Sequence, residues 1–295
     1  MITKSDKRWG ITGHIVMIIL AVLALAPFIL LVIASFTEES AAIRNGYSYI
    51  PEAWSLDAYR YIFDQWATIG RSYLVTIFVT AVGTTISVII SAMLAYVVSR
   101  KELPGRTILL FALTFTMLFN GGLTSTYITY TQIFHIKNTI LGLMVPGLLM
   151  NAYNVMMFRN YFETTIPGAL MEAAQIDGAK ETTIFFKVVV PLSLPMVATV
   201  GLTVALMYWN DWTNGLYYLS TDSKLQSIQT LLNNMNENIK FLQQNNVGST
   251  FSSLDMPSTT IRMAIAVVGI LPILVLYPFF QKWFVKGMMS GAIKG

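Results

Sequence analysis

The chain contains no cysteine, so disulfide frameworks, thiolate metal sites and cysteine nucleophiles are all excluded. Charge is scarce too. Only 12% of the 295 residues are Asp, Glu, Lys or Arg, about half the roughly 25% usual in soluble domains. A water-soluble globule could not cover its surface with so few charges. With 55% hydrophobic residues and a mean hydropathy of +0.59, the class is membrane protein. The only two histidines, His14 and His135, stand alone beside different apolar runs, so they read as interfacial residues and no metal site is expected. A G-x-x-x-x-G-K-[ST] phosphate loop is also missing. Its nearest fragment, Gly178-Ala179-Lys180, lacks the upstream glycine spacing and the following hydroxyl. Any nucleotide that drives work must therefore sit on another polypeptide.

What is present is a series of long apolar runs, near residues 15–36, 73–98, 107–134, 139–158, 188–209 and 263–281. Each has about the 17–25 residues that a helix needs to cross the hydrocarbon core. No alternating barrel pattern accompanies them, so the expected class is all-α with six transmembrane helices. Gly121-Gly122 interrupts the third run. The first imitates a signal peptide, with Lys4, Lys7 and Arg8 before it and Ala24-Leu25-Ala26 inside it. Pro27 follows at once, however, and the run continues to Phe36, which favours a retained helix.

Basic residues set the orientation. Twelve of the nineteen (Lys4, Lys7, Arg8, Arg100, Lys101, Arg106, Arg159, Lys180, Lys187, Lys282, Lys286 and Lys294) fall in alternate connections and at the two ends. Both termini are therefore expected in the cytoplasm. The chain divides into a cytoplasmic N-terminus (1–14), a six-helix domain (15–284) and a cytoplasmic tail (285–295). Within the domain, 160–195 is the main cytoplasmic loop and 210–262 the main external one. The net charge of +4 is accounted for by this topology and does not point to nucleic acid.

None of the six runs contains Asp, Glu, Lys, Arg or His. Proton-coupled carriers and voltage sensors place ionisable groups at membrane depth, so this absence counts against them. Sodium coupling through carbonyls and hydroxyls stays open. A membrane-embedded enzyme would need clustered carboxylates or histidines. The external Glu38-Glu39, Glu52 and Asp57 form no acid/base or metal constellation, and no catalytic residue is assigned.

The cytoplasmic loop is the most informative segment. Pro167 suits a first helical turn, residues 168–176 are good helix formers, and Gly178 supplies a stop. A second helical stretch, 181–189, leads to Pro191 and Pro195, which redirect the chain into the fifth run. Ala173 and Ala174 beside Glu172 leave little bulk on the first helix. It could lie in a groove on a partner or rest on the bilayer surface.

Glu172-Ala173-Ala174, Asp177-Gly178-Ala179 and Val190-Pro191-Leu192-Ser193-Leu194-Pro195 closely resemble the "EAA" loop of bacterial ABC importer permeases. That pattern reads E-A-A-x-x-x-G, followed at a distance by I-x-L-P, before the penultimate span. The resemblance extends along the chain. Trp209-Asn210-Asp211-Trp212 is similar to a segment of sugar permeases, and six spans with both ends inside look like the maltose-type permease fold. Asn120-Gly121-Gly122 and the ending Ser290-Gly291-Ala292-Ile293-Lys294-Gly295 resemble the branch tied to complex oligosaccharides and polysaccharides.

The resemblance implies a coupling helix, carried by Glu172, Ala173, Ala174, Asp177, Gly178, Pro191 and Pro195, that docks into an ATP-binding subunit. It implies two such subunits holding ATP and magnesium, a second homologous permease, an extracytoplasmic solute-binding protein and a saccharide substrate. This chain itself would bind no cofactor. Sugars are held by amides, hydroxyls and aromatic faces. Candidates for the pathway are therefore Asn120, Tyr127, Tyr130, Asn154, Tyr208, Trp209, Asn210 and Trp212, with Asn151 and Tyr153 nearby. Tyr and Trp also favour membrane interfaces, and buried Asn often joins helices, so each keeps a structural alternative. In the external loop, residues 225–241 are expected to form a helix facing the binding protein.

Overall fold

The computed structural model describes residues 4–244 and 259–292; the expectations placed on 245–258 and 293–295 lie outside them. All regular elements among the described residues are helical, apart from one isolated antiparallel bridge between Thr37 and Trp54. In order they are α1 (Lys4–Ser35), α2 (Glu39–Asn45), α3 (Asp57–Asp64), α4 (Trp66–Ser99), α5 (Arg106–Leu118) and α6 (Gly122–Ile128). A π-helical turn, Thr129–Ile133, extends α6. Then come α7 (Ile140–Met144), α8 (Ala152–Thr165), α9 (Gly168–Ile176) and α10 (Glu181–Ile184). A second π-helical turn, Phe185–Val189, joins α10 to α11 (Val190–Leu192). The rest are α12 (Leu194–Asn210), α13 (Thr213–Tyr218), α14 (Ile228–Gln244) and α15 (Thr259–Ala292).

Two helices are continuous and apolar enough to cross a membrane, over Gly10–Ser35 and Trp66–Ser99. The third expected run is not one helix. Arg106–Leu118 and Gly122–Ile133 meet at 116°. The break falls where Gly122 adopts φ +82°, and Asn120 Oδ1 accepts the Gly122 amide at 2.8 Å. A helix cannot pass through a left-handed residue, and the Asn side chain replaces the lost acceptor. Similarly, Glu181–Leu192 and Leu194–Asn210 meet at 82°, between Pro191 and Pro195. The expected run 139–158 is divided as well, because α7 ends before Pro146 and Gly147 (φ +71°) and α8 begins only at Ala152. Among the described residues, hydropathy and continuity thus yield two whole spans, or up to four if each bent pair counts as one.

The described residues form two compact units, one within Met1–Ile69 and Leu232–Pro272 and the other within Gly70–Leu231 and Ile273–Gly295. In the first, Phe36 stacks on Tyr59 at 4.7 Å, and the Ser35 and Tyr59 hydroxyls lie 2.8 Å apart. The Glu39 carboxylate reaches the start of α15. There it accepts the Thr259 amide at 2.9 Å, the Thr260 amide at 3.0 Å and the Thr260 hydroxyl. These amides are among the four a helix leaves without partners at its N-terminus, and a carboxylate also suits the positive end of the helix dipole.

The second unit holds the larger core, around Val98, Val155, Phe158, Ile184, Val189, Val200 and Val204, all essentially inaccessible. One face of α4, with Thr76, Val79, Gly83, Ser87 and Ser91, carries small or hydroxylated residues. This lets neighbouring backbone approach, as small residues do between membrane helices. Ser87 Oγ donates to the Leu148 carbonyl at 3.4 Å. The Tyr208 ring covers Gly83 so closely that a Cβ there would lie 2.6 Å from Tyr208 Cζ, while its hydroxyl donates to the Met144 carbonyl at 2.8 Å. A Gly83→Val variant is therefore expected to lose about 1–3 kcal/mol to overpacking. Thermal unfolding of purified protein in detergent would register this as a lower midpoint, with recovery on adding Tyr208→Ala.

Candidate functional site

The segment expected to be the main cytoplasmic loop, 160–195, contains a short helix, α9, whose ends are both fixed by the sequence. Ile166, 5% exposed, anchors its entry. Pro167 takes φ −63° just before the first helical residue. At the other end Gly178 is left-handed at φ +76°, and the Ala179 amide donates back to the Ala174 carbonyl at 3.0 Å. This is the glycine-dependent closure that satisfies the last carbonyls of a helix. Met171, Ala174 and Ala179 turn inward against the core. Glu172, Ala173 and Asp177 face outward, and Ile176 is 86% exposed. Neither outward carboxylate is paired within the described residues. The outer face is thus small, apolar and acidic at once, on a helix whose position is set from both ends. Pro191 and Pro195 lie beyond the π-helical turn and flank Ser193, which is fully buried at the 82° bend.

Tyr96, Arg100 and Glu181, none of them among the site candidates, hold α9 in place. The Glu181 carboxylate accepts from the Tyr96 hydroxyl, from Gln175 Nε2 at 2.9 Å and from Arg100 Nη2 at 3.3 Å. Arg100 Nη1 also lies 3.1 Å from Met171 Sδ, and its guanidinium sits 5.5 Å from the centre of the Tyr96 ring. The end of α4, Gln175 near the end of α9 and the first residue of α10 therefore meet at one carboxylate. The Tyr96 hydrogen bond holds its pKa below the usual value, helped by Gln175 and Arg100 and opposed by burial. Beside it, Arg106 and Arg159 both pair with Glu163, the latter at 3.0 Å, joining the start of α5 to α8. A cleft of about 880 Å³ opens between these groups, lined by Arg100, Lys101, Glu163, Met171 and Glu172.

The pathway candidates fall into separate places. Tyr127 stacks on Tyr218 at 6.0 Å, and Tyr130 meets the same ring edge-on at 6.0 Å, so two candidates converge on a tyrosine that the sequence reading passed over. Tyr208 and Trp209 are buried in packing, as is Asn154, whose Nδ2 has no hydrogen-bond partner among the described residues. Asn120 accepts the Gly122 amide, Asn151 caps α8 by accepting the Tyr153 amide at 2.9 Å, and Tyr153, Asn210 and Trp212 are exposed. Among the described residues, no hydrogen bond or ring contact joins Asn120, Asn154, Asn210 or Trp212 to the tyrosine cluster. Next to Trp212, burial pushes the Asp211 carboxyl above its usual pKa, against hydrogen bonds from Thr213 and the Asn214 amide. Asn214 in turn donates to the Leu143 and Pro146 carbonyls at 3.3 and 3.0 Å, securing the interrupted segment after α7.

Connections also sort into groups. Loop 99–106 is joined to 163–181 through Glu181 and Glu163. Loop 134–139 is joined to 211–220, since the Asn138 amide donates to the Tyr218 carbonyl at 2.8 Å and Asn138 Oδ1 accepts the Ser220 amide. The helix expected over 225–241 is observed as α14. Its first turn is set by the Ser227 and Thr230 hydroxyls, 2.9 Å apart, and by the Ile228 amide donating to Thr76 Oγ1 at 2.9 Å.

Residues 103–290 match the family described as binding-protein-dependent transport system inner membrane component. The chain is 39% identical over 279 residues to the polygalacturonan/rhamnogalacturonan transport system permease protein YtcP of Bacillus subtilis, covering 95% of this chain and 96% of that one. It is 32% identical over 293 residues to protein LplC of the same organism, covering 99% and 97%. Among solved structures it is similar to a chain of a bacterial ABC transporter involved in the import of the acidic polysaccharide alginate. The TM-score there is 0.79 at 29% identity, covering 96% of this chain and 99% of the other.

Proposed function

The chain belongs to the family of binding-protein-dependent transport system inner membrane components, and from that premise we propose that it carries an acidic oligosaccharide across the bacterial cytoplasmic membrane. It is the permease subunit of a sugar ABC importer and not an enzyme; ATP is hydrolysed by a separate subunit. In our reading that subunit is present twice and holds the ATP and magnesium. A second homologous permease completes the pathway, and an extracytoplasmic binding protein delivers the sugar. The acidic class is supported by two similar proteins that handle polygalacturonan and alginate.

The observation that carries the mechanism is the outward face of α9, small and acidic, locked by the left-handed Gly178. Closure of the ATP-binding subunits pulls on this helix. Glu181 relays the displacement to α4, and the bend at Ser193 relays it to α12. Two arrangements of these packed elements, biased by nucleotide, give alternating access. Six crossings with both termini in the cytoplasm fit the two groups of connections, each of which brings together only loops expected on one side. In this reading α1, α4 and α15 are the three continuous crossings, and the two bent pairs and the divided segment 139–158 supply the other three.

Purification of the tagged chain from its native membrane is expected to recover a second permease and a phosphate-loop ATPase in fixed ratio. Reconstituted with its binding protein, the complex is expected to take up oligogalacturonate only with ATP. Recovery of the chain alone, with uptake independent of ATP, would reject the importer and favour a secondary carrier.

A further inference from the structure

Lys137 lies in the turn between the π-helical end of α6 and α7, within the interrupted region that the tyrosine cluster borders. Its ammonium donates to the Tyr127 hydroxyl at 3.1 Å and sits 5.8 Å from the centre of that ring. Tyr127 in turn stacks on Tyr218, with Tyr130 edge-on to the same ring. Lys137 is exposed and forms no ion pair among the described residues, so its charge is held in place without a counter-ion.

The turn that presents it is unusually determined. His135 and Asn138 both adopt left-handed conformations, φ 51° and 57°, the only non-glycine residues described that do so. Such residues persist where surrounding contacts over-determine them. Here the Ile136 amide donates to the Tyr130 carbonyl at 3.1 Å, and Asn138 is tied to Tyr218 and Ser220 on both its backbone and its side chain. The lysine is thus presented by a fixed turn beside Tyr127, against whose cluster Tyr130 and Tyr218 pack.

We propose that Lys137 and Tyr127 form a carboxylate-reading subsite for a uronate unit of the transported oligosaccharide. Tyr130, half-buried, supplies the apolar face against which the sugar ring is laid, and Tyr218, buried beneath Tyr127 and Tyr130, fixes both rings. This assignment rests on the acidic-saccharide reading above. The chemistry follows from the pieces. A flat aromatic surface accepts the C–H side of a pyranose, and a neighbouring ammonium without its own anion selects a ring bearing a carboxylate. A neutral sugar would leave that cation unanswered, which gives discrimination as well as affinity.

The test uses the complete importer in vesicles with its binding protein and trigalacturonate, comparing wild type with Lys137→Arg and Lys137→Gln. The Gln variant is expected to raise the concentration for half-maximal uptake about tenfold, as loss of a charge-assisted contact does, and the Arg variant to stay near wild type. Assembly, and ATPase stimulation by the unloaded binding protein, are expected to be unchanged. Equal uptake by the Gln variant would overturn the subsite. An equal loss in both variants would overturn it in favour of a packing role for the lysine. A loss of stimulation by the unloaded binding protein would overturn it in favour of a protein contact. Failure of wild type to take up trigalacturonate, with a neutral oligosaccharide transported instead, would reject the substrate reading itself.

Discussion

Replacing Gly178 by proline is expected to abolish sugar uptake while the chain still inserts and assembles. Proline fixes φ near −65°, whereas Gly178 sits at +76°. The substitution also removes the Gly178 amide that donates to the Gln175 carbonyl at 3.0 Å, and it disfavours the near-helical conformation of Asp177 before it. The end of α9 must then move, and with it the outward face carrying Glu172 and Asp177. Alanine at the same site separates strain from shape. Nothing lies within 4 Å of where its Cβ would be, so only the left-handed conformation opposes it, by about 1–2 kcal/mol. Uptake should therefore fall in the order Gly, Ala, Pro, with ATP hydrolysis by the assembled complex persisting in the proline variant. Glu172→Lys provides the complement. The residue is exposed and forms no ion pair among the described residues, so stability should change by no more than about 0.5 kcal/mol while coupling is lost. Normal uptake by both the proline and the lysine variants would remove α9 from the coupling role.

The second large effect is expected at Glu181. As an isolated ion pair with Arg100 it would matter little, because its side chain is 58% exposed and such pairs are worth about 0–1 kcal/mol. Its weight comes from convergence, since three donors from two other elements meet there. Glu181→Ala releases α9 and α10 from the end of α4 together. The sugar carried per ATP hydrolysed is expected to fall about tenfold, the effect of removing one charged hydrogen-bonded partner. Arg100→Ala should give part of this loss. The double variant should be no worse than Glu181→Ala alone, because both act through one contact set. Additive losses in transport-coupled ATPase measurements would show that the two residues serve separate ends.

The pH dependence has a defined sign. The folded carboxyl is held below its ordinary pKa. Its contribution is therefore fully present above the unfolded value of about 4.3 and disappears only as pH falls through the lower folded value. Coupling should not vary with the titration of this residue anywhere near neutrality.

The elements most legible in the sequence were those set by local rules. Pro167 and Gly178 bracket α9 because one fixes φ and the other permits a positive φ, and both properties travel with the residue. The long uninterrupted run behind α4 and the helix that became α14 were equally readable. Continuity was not. The runs at 107–134 and 139–158 are apolar throughout, yet hydropathy measures only transfer into lipid. It carries no term for the left-handed Gly122 or for the turn at Pro146 and Gly147. Contacts across great sequence separations were hidden for another reason. Tyr96 and Glu181 are 85 residues apart, and no periodicity relates them. Tyr208 illustrates a third case. Its position just before an aromatic, amide-bearing motif pointed to sugar, but its hydroxyl is taken by the Met144 carbonyl and its ring by Gly83.

The bond between Glu39 and the start of α15 also bears on the order in which the protein is made. The carboxylate leaves the ribosome 220 residues before the Thr259 amide it will accept. Until that amide arrives, the carboxylate lacks the helix-capping role it takes in the finished fold, and the first amides of α15 in turn depend on a residue translated long before them. Assembly of this corner thus waits for translation of α15, and a chain arrested before Thr259 leaves α2 without the helix start that Glu39 caps.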